Sequence, residues 1–204
     1  MRARRFEIID TTCPFVHRAQ LAAQKLASEG FFTVIFGEAE HPEIKSVLGW
    51  AKGQGVALLD AKDISGLNIP RRVGVLSQTT QIPDRFSVFV KGLIDQALVK
   101  DSELRIIDTI CHDIHDRQRA ALALARKVDL MLVIGGHTSA NSHHLAELCA
   151  TVVETHLVET AAEIQPSWLK GEPHTGITSG ASTDEKTIDE VEARLKKIVQ
   201  NNRA

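Results

Sequence analysis

The chain has 204 residues, 43% hydrophobic and 25% charged, with a formal net charge of −2. That balance suits a globular chain long enough to bury a substantial core. It excludes nucleic-acid binding by bulk electrostatics, and no apolar run approaches the roughly 20 residues that span a bilayer. The basic start reaches Asp10 before any apolar stretch, so it does not read as a signal peptide. Three cysteines, an odd number, fit a reducing compartment better than a disulfide framework, and the expected location is the cytoplasm.

In chain order, Phe6-Glu7-Ile8-Ile9-Asp10 reads as a buried strand that begins almost at the initiator, as though something preceded it. A helix is predicted over about 16–29, then a strand at Phe32-Thr33-Val34-Ile35-Phe36, then a helix from about residue 42. Short strands at Val56-Ala57-Leu58-Leu59 and Val73-Gly74-Val75-Leu76 precede a helix over about 84–98. Strands separated by helical segments of this length predict parallel sheets with crossover helices. Further on, Ala121, Leu124, Ala125 and Val128 form the core face of a helix, and the tail after about Lys196 frays.

The pattern repeats. Ile8-Ile9-Asp10-Thr11-Thr12-Cys13 returns as Ile106-Ile107-Asp108-Thr109-Ile110-Cys111, an offset of 98. At the same offset Val34-Ile35-Phe36-Gly37 returns as Leu132-Val133-Ile134-Gly135, setting His41 opposite Ser139 and Glu43 opposite Asn141. Gly74-Val75-Leu76-Ser77-Gln78-Thr79-Thr80 returns, offset by 102, as Gly176-Ile177-Thr178-Ser179-Gly180-Ala181-Ser182. The chain is therefore expected to be two related α/β units, 1–99 and 100–204. In open α/β sheets ligands bind beyond the carboxyl ends of the strands. In both units the polar groups follow strands, so they are expected to line one central cleft.

Cys13 and Cys111 end equivalent strands, which is hard to reconcile with packing alone. Converging thiolates suit a soft metal centre, either zinc or an iron–sulfur cluster. Cys149, on the apolar side of a helix, reads as core. His112, His137, His143 and His144 lack zinc spacing and read as solvated surface histidines. Ser139, Asn141 and Ser182 precede or open helical segments, where exposed N–H groups can bind an anion. Helix capping is the commoner use of such residues. His41-Pro42-Glu43 likewise reads both as a helix start and as a polar group able to act on a ligand.

Taken in order, Asp10-Thr-Thr-Cys13-Pro14, Gly37-x3-His41-Pro42-Glu43 and Ser77-Gln78-Thr79-Thr80 are followed by three further motifs. These are Asp108-Thr-Ile-Cys111 with Asp116-Arg117-Gln118, Ser139-Ala140-Asn141-Ser142 with Leu145-Ala146-Glu147-Leu148, and Gly180-Ala181-Ser182. Together they resemble the 4-hydroxy-3-methylbut-2-enyl diphosphate reductases across residues 5 to 195. The resemblance implies a pseudo-threefold, trefoil-like protein in which three cysteines, one per α/β domain, hold a 4Fe–4S cluster. The cluster reductively removes an allylic hydroxyl to give isopentenyl and dimethylallyl diphosphates.

Under this resemblance Cys13 and Cys111 match the second and third cluster ligands, and residues 1–99 and 100–204 match the second and third domains. It assigns proton delivery to Glu43 with Thr79, and diphosphate binding to His41, Ser139, Asn141 and Ser182. It also implies an allylic diphosphate substrate and a reducing partner such as ferredoxin or flavodoxin.

The sequence departs from the family at Ile114-His115 and Ala140, where relatives often carry hydroxyl residues. The first domain, with its cysteine and two histidines, is expected to be absent. A separate chain supplying that domain, a non-catalytic remnant, or a zinc protein using Cys13 and Cys111 are the alternatives.

Overall fold

A computed structural model describes residues 9–66, 70–98, 102–171 and 173–203. Its described residues divide into two compact units, one running to Thr79 and resuming over Asp84–Ile110, the other comprising Thr80–Pro83 and the chain from Cys111.

The first unit is a parallel sheet covered by helices on both faces. Helix α1 spans Pro14–Ser28 and begins with proline at its first position, where the missing N–H costs nothing. Strand β1 (Phe32–Phe36) leads to α2 (Pro42–Trp50), β2 (Gly55–Leu58), β3 (Arg72–Ser77), α3 (Pro83–Leu98) and β4 (Glu103–Ile106). The strand order is β2-β1-β3-β4, all parallel. Alternation along the strands feeds two cores. Ile35 and Leu76 pack with Ala19, Ala23 and Leu26 of α1 and Ile44 and Val47 of α2. On the other face Val34, Phe36, Val73 and Val75 meet Phe86, Phe89, Val90 and Leu93 of α3.

The second unit repeats the plan. Helix α4 (His112–Ala125), β5 (Leu130–Ile134), α5 (Ala140–Ala150), β6 (Glu154–Val158), β7 (Thr175–Ser179) and α6 (Glu185–Arg203) build a parallel sheet of order β6-β5-β7. Met131 and Val133 face Ala121 and Ala125 of α4 and Leu145 and Cys149 of α5, while Leu130, Leu132 and Ile134 face Val191, Leu195 and Ile198 of α6.

Two expectations change. The strand read over residues 6–10 lies mostly outside the described residues; Ile9 and Asp10 belong to no regular element, and Ile9 is 80% exposed rather than buried. The boundary drawn at residue 99/100 falls instead at Ile110/Cys111. β4, which opens the second sequence repeat, completes the sheet of the first unit by pairing with β3, and Ile107 N–H continues that ladder to the Val75 carbonyl (2.9 Å). The physical reason lies in side chains that the repeat does not register. Arg72 of β3 and Arg105 of β4 both stack on the Phe31 ring, 4.3 and 4.2 Å from its centroid. Glu103 bonds Arg72 at 2.9 Å and Arg105 pairs with Glu29.

Candidate functional site

The strand order reverses direction between β1 and β3 in the first unit and between β5 and β7 in the second. The carboxyl ends beside such a reversal leave the crevice in which open α/β sheets bind ligands. His41 and Thr79 follow β1 and β3, and Ser139 and Ser182 follow β5 and β7, whereas Cys13 and Cys111 precede α1 and α4.

Both cysteines are presented in the same way. Asp10 Oδ1 accepts from Thr12 N–H and Asp108 Oδ1 from Ile110 N–H, each at 2.9 Å. These matching Asx turns deliver the chain to Cys13 and Cys111. Each cysteine is the N-cap of its helix, with extended ψ of 133° and 127°, and neither makes a side-chain capping bond. Neither thiol is therefore taken up in capping its own helix. Cys13 is exposed and Cys111 is buried at the head of α4. Among the described residues, no three His, Cys, Asp or Glu side chains gather into a group able to hold a metal ion. A thiolate suits a soft metal in kind, and each unit carries one such thiol at the head of a helix. Cys149 is fully buried, and burial pushes its thiol up to about 11, which agrees with a core role.

In the first unit, α2 is capped by His41, whose Nδ1 accepts from Glu43 N–H at 3.2 Å. In the neutral ring this places the proton on Nε2, pointing a donor away from the helix. Glu43 receives two bonds from Thr79 beyond the end of β3: the amide N–H reaches Oε1 at 2.7 Å and the hydroxyl reaches Oε2 at 2.8 Å. The structure thus joins Glu43 and Thr79 into one hydrogen-bonded pair. Gln78 beside them is fully buried; its Oε1 accepts from Glu38 N–H at 3.1 Å, and its Nε2 has no partner among the described residues.

In the second unit Ser139 caps α5, accepting from Ser142 N–H at 3.3 Å. Asn141 follows in the first turn, 8% exposed, with its Oδ1 unpartnered among the described residues. Ser182 is exposed in the turn after β7. That turn is tied to the end of β5 by Thr183, whose hydroxyl donates to the Ile134 carbonyl at 3.0 Å. Ser139, Asn141 and Ser182 therefore stand at the ends of neighbouring strands.

Several participants escaped the sequence reading. His144 is 5% exposed rather than solvated, and its Nδ1 bonds the Thr80 carbonyl at 2.8 Å because it lies on the inner face of α5. Gln118 Nε2 donates to the carbonyls of Thr80 and Gln81 at 3.4 Å. Ser142, quoted only as part of a motif, is wedged between strand ends. The signal that could have flagged it was the pair Gly135 and Gly180, one at each strand terminus. His112, His137 and His143 are exposed as expected.

A family model described as "LytB protein" matches residues 1–196. The chain belongs to the LytB family. A relative in Dehalococcoides mccartyi, named 4-hydroxy-3-methylbut-2-enyl diphosphate reductase, is 60% identical over 97% of this chain and 70% of its own length. A Geobacter metallireducens protein of the same name is 41% identical over 96% of this chain and 68% of its own. Among solved structures, the E-1-hydroxy-2-methyl-but-2-enyl-4-diphosphate reductase of Plasmodium falciparum superposes with a TM-score of 0.81. It is 25% identical, over 93% of this chain and 59% of that one. An (E)-4-hydroxy-3-methyl-but-2-enyl diphosphate reductase, described as the terminal enzyme of the non-mevalonate pathway, gives a TM-score of 0.59 at 34% identity, over 94% and 68%. This LytB chain thus spans about 70% of the length of the relative it matches at 60% identity. No helix among its described residues is long and apolar enough to cross a membrane.

Proposed function

We propose that this LytB chain carries two domains' worth of a cytoplasmic 4-hydroxy-3-methylbut-2-enyl diphosphate reductase, the second and third of the family's three. The reaction removes an allylic hydroxyl as water at the expense of two electrons and two protons, leaving isopentenyl or dimethylallyl diphosphate. The observation that carries this reading is the 60% identity to a protein of that name across 97% of the chain. The local geometry supports it residue by residue.

Cys13 and Cys111 are the residues that would hold a 4Fe–4S cluster. When bound, the cluster supplies the two electrons, received from a ferredoxin- or flavodoxin-type donor. Remaining donors come from sequence outside these 204 residues, in the same polypeptide or a separate one. Glu43 carries a proton toward the departing hydroxyl, and Thr79, hydrogen-bonded to its Oε2 at 2.8 Å, relays and orients it. One proton leaves with the oxygen as water and the other ends on carbon. His41 Nε2–H donates to a phosphate oxygen. Ser139, Asn141 and Ser182 receive the diphosphate at the N-terminus of α5, whose leading N–H groups favour an anion.

Anaerobic reconstitution with iron and sulfide, followed by iron counting and Mössbauer spectroscopy, tests the ligand assignment. Cys13→Ser and Cys111→Ser are each expected to lower iron retention, whereas Cys149→Ser leaves it unchanged. Full loading of both the Cys13→Ser and Cys111→Ser variants would overturn the assignment.

A further inference from the structure

Ser142 lies in the first turn of α5, 1% exposed, where the carboxyl ends of β5 and β7 meet the helix. The approach is close enough that only glycine fits opposite it. A Cβ placed on Gly135 would lie 2.2 Å from Ser142 Oγ, and one on Gly180 would lie 2.5 Å from it. In the first unit the equivalent positions are Gly37, Ile44 and Gln78, and there the crevice is filled by the Ile44 and Gln78 side chains. A hydroxyl has replaced an apolar plug at the corresponding place in the second unit.

Among the described residues that hydroxyl meets Ser139 Oγ, at 3.1 Å. Two hydroxyls at this distance could share their proton either way, but their surroundings differ. Ser142 is enclosed, and a buried donor must find its acceptor within the protein. Ser139 is only half-buried and can satisfy its own proton outside the protein. Ser142 O–H therefore donates to Ser139 Oγ, which also accepts the Ser142 N–H at 3.3 Å. With both lone-pair directions of Ser139 Oγ occupied from within the helix, its own proton is directed outward as a donor.

We infer that Ser142 is a positioning residue that fixes Ser139 as an obligate hydrogen-bond donor to a phosphate oxygen at the N-terminus of α5. The inference rests on the reading of Ser139 as a diphosphate-binding residue and deepens it. An unconstrained serine presents either a proton or a lone pair, and a lone pair repels an anion. Fixing the donor orientation beforehand removes that loss and the associated ordering cost.

The test is a double-mutant cycle on the complete chain, reading the Kd for inorganic pyrophosphate by calorimetry. Ser139→Ala and Ser142→Ala are each expected to raise Kd about 3- to 10-fold, the effect of one hydrogen bond. In the Ser139→Ala background, Ser142→Ala is expected to change Kd by less than about 1.5-fold, because Ser142 acts only through Ser139. A merely structural role would disturb Asn141 and the helix amides as well, so its effect would persist in that background and overturn the inference. If Ser139→Ala weakens binding and Ser142→Ala does not, the inference falls while the phosphate site stands. If the wild-type chain fails to bind, or Ser139→Ala has no effect, the site reading falls and takes the inference with it. Should Ser142→Ala not fold, Ser142→Cys, a weak donor of similar shape, is read in the same cycle.

Discussion

Thr109 illustrates how a single side chain sets where a cysteine stands. Its buried hydroxyl accepts from Ser77 N–H at 2.9 Å and donates to the Ser77 carbonyl, so the segment leading to Cys111 is clamped to the end of β3. Thr109→Val keeps the shape and orphans both Ser77 groups, which costs about 1–3 kcal/mol for each buried group left unsatisfied. Urea denaturation is expected to show a loss of at least about 1 kcal/mol, and a midpoint equal to wild type would refute the clamp. The Glu43–Thr79 pair makes a different prediction. Glu43→Gln preserves the size and one acceptor but cannot deliver a proton. Turnover in a cluster-loaded preparation is expected to fall about 100-fold or more, the usual worth of a positioned acid. Full turnover by that variant would assign the proton to another group.

Among the helices, glycine separates packing from propensity. Gly135 sits against Ser142, so Gly135→Ala must push the first turn of α5 off β5, an overpacking that costs about 1–3 kcal/mol. Gly49, inside α2, has open space where a Cβ would go. There alanine removes backbone freedom from the unfolded chain, and Gly49→Ala is expected to stabilise by about 0.5–1 kcal/mol. Thermal melts of the two variants should therefore shift in opposite directions, and shifts of the same sign would contradict this account of the α5 interface. The paired Asx turns at Asp10 and Asp108 are a local device: an aspartate three residues before each cysteine accepts from the backbone two residues on and shapes the loop.

For the molecule as a whole, Cys149 couples stability to pH on the alkaline side. Burial raises its thiol from 9.0 to about 11, so the folded state holds the proton more tightly than the unfolded chain does. That contribution is complete below about pH 9 and is lost as pH rises toward about 11. The denaturation midpoint of the wild type should fall across this window more steeply than that of Cys149→Ala; parallel profiles would exclude the linkage.

The strand and helix order of the first unit was legible in the sequence because apolar alternation and proline-started helices are local signals. In the second unit β6 and α6 were not read, and the tail expected to fray after Lys196 is helical to Arg203. His41 and Ser139 were correctly seen to head helices; Cys13 and Cys111 were aligned by the repeat but read as ending strands, whereas each caps a helix. What the sequence did not disclose depended on three-dimensional neighbours: the burial of His144, the wedge of Ser142 between two glycines, and the sheet to which β4 belongs.

The membership of β4 also bears on how such a chain can be cut and rejoined. The unit that recurs in the sequence and the unit that closes its own core are out of step by one strand. A recombination joint placed at the sequence repeat, near residue 100, would hand β4 to the wrong fragment. It would leave β3, with Val73 and Val75 along it, as a raw edge open to any passing strand. A joint placed just before Cys111 keeps each sheet whole and each cysteine with the helix that it caps. For domain shuffling, the reading frame of the fold starts at the cysteine and not at the strand before it.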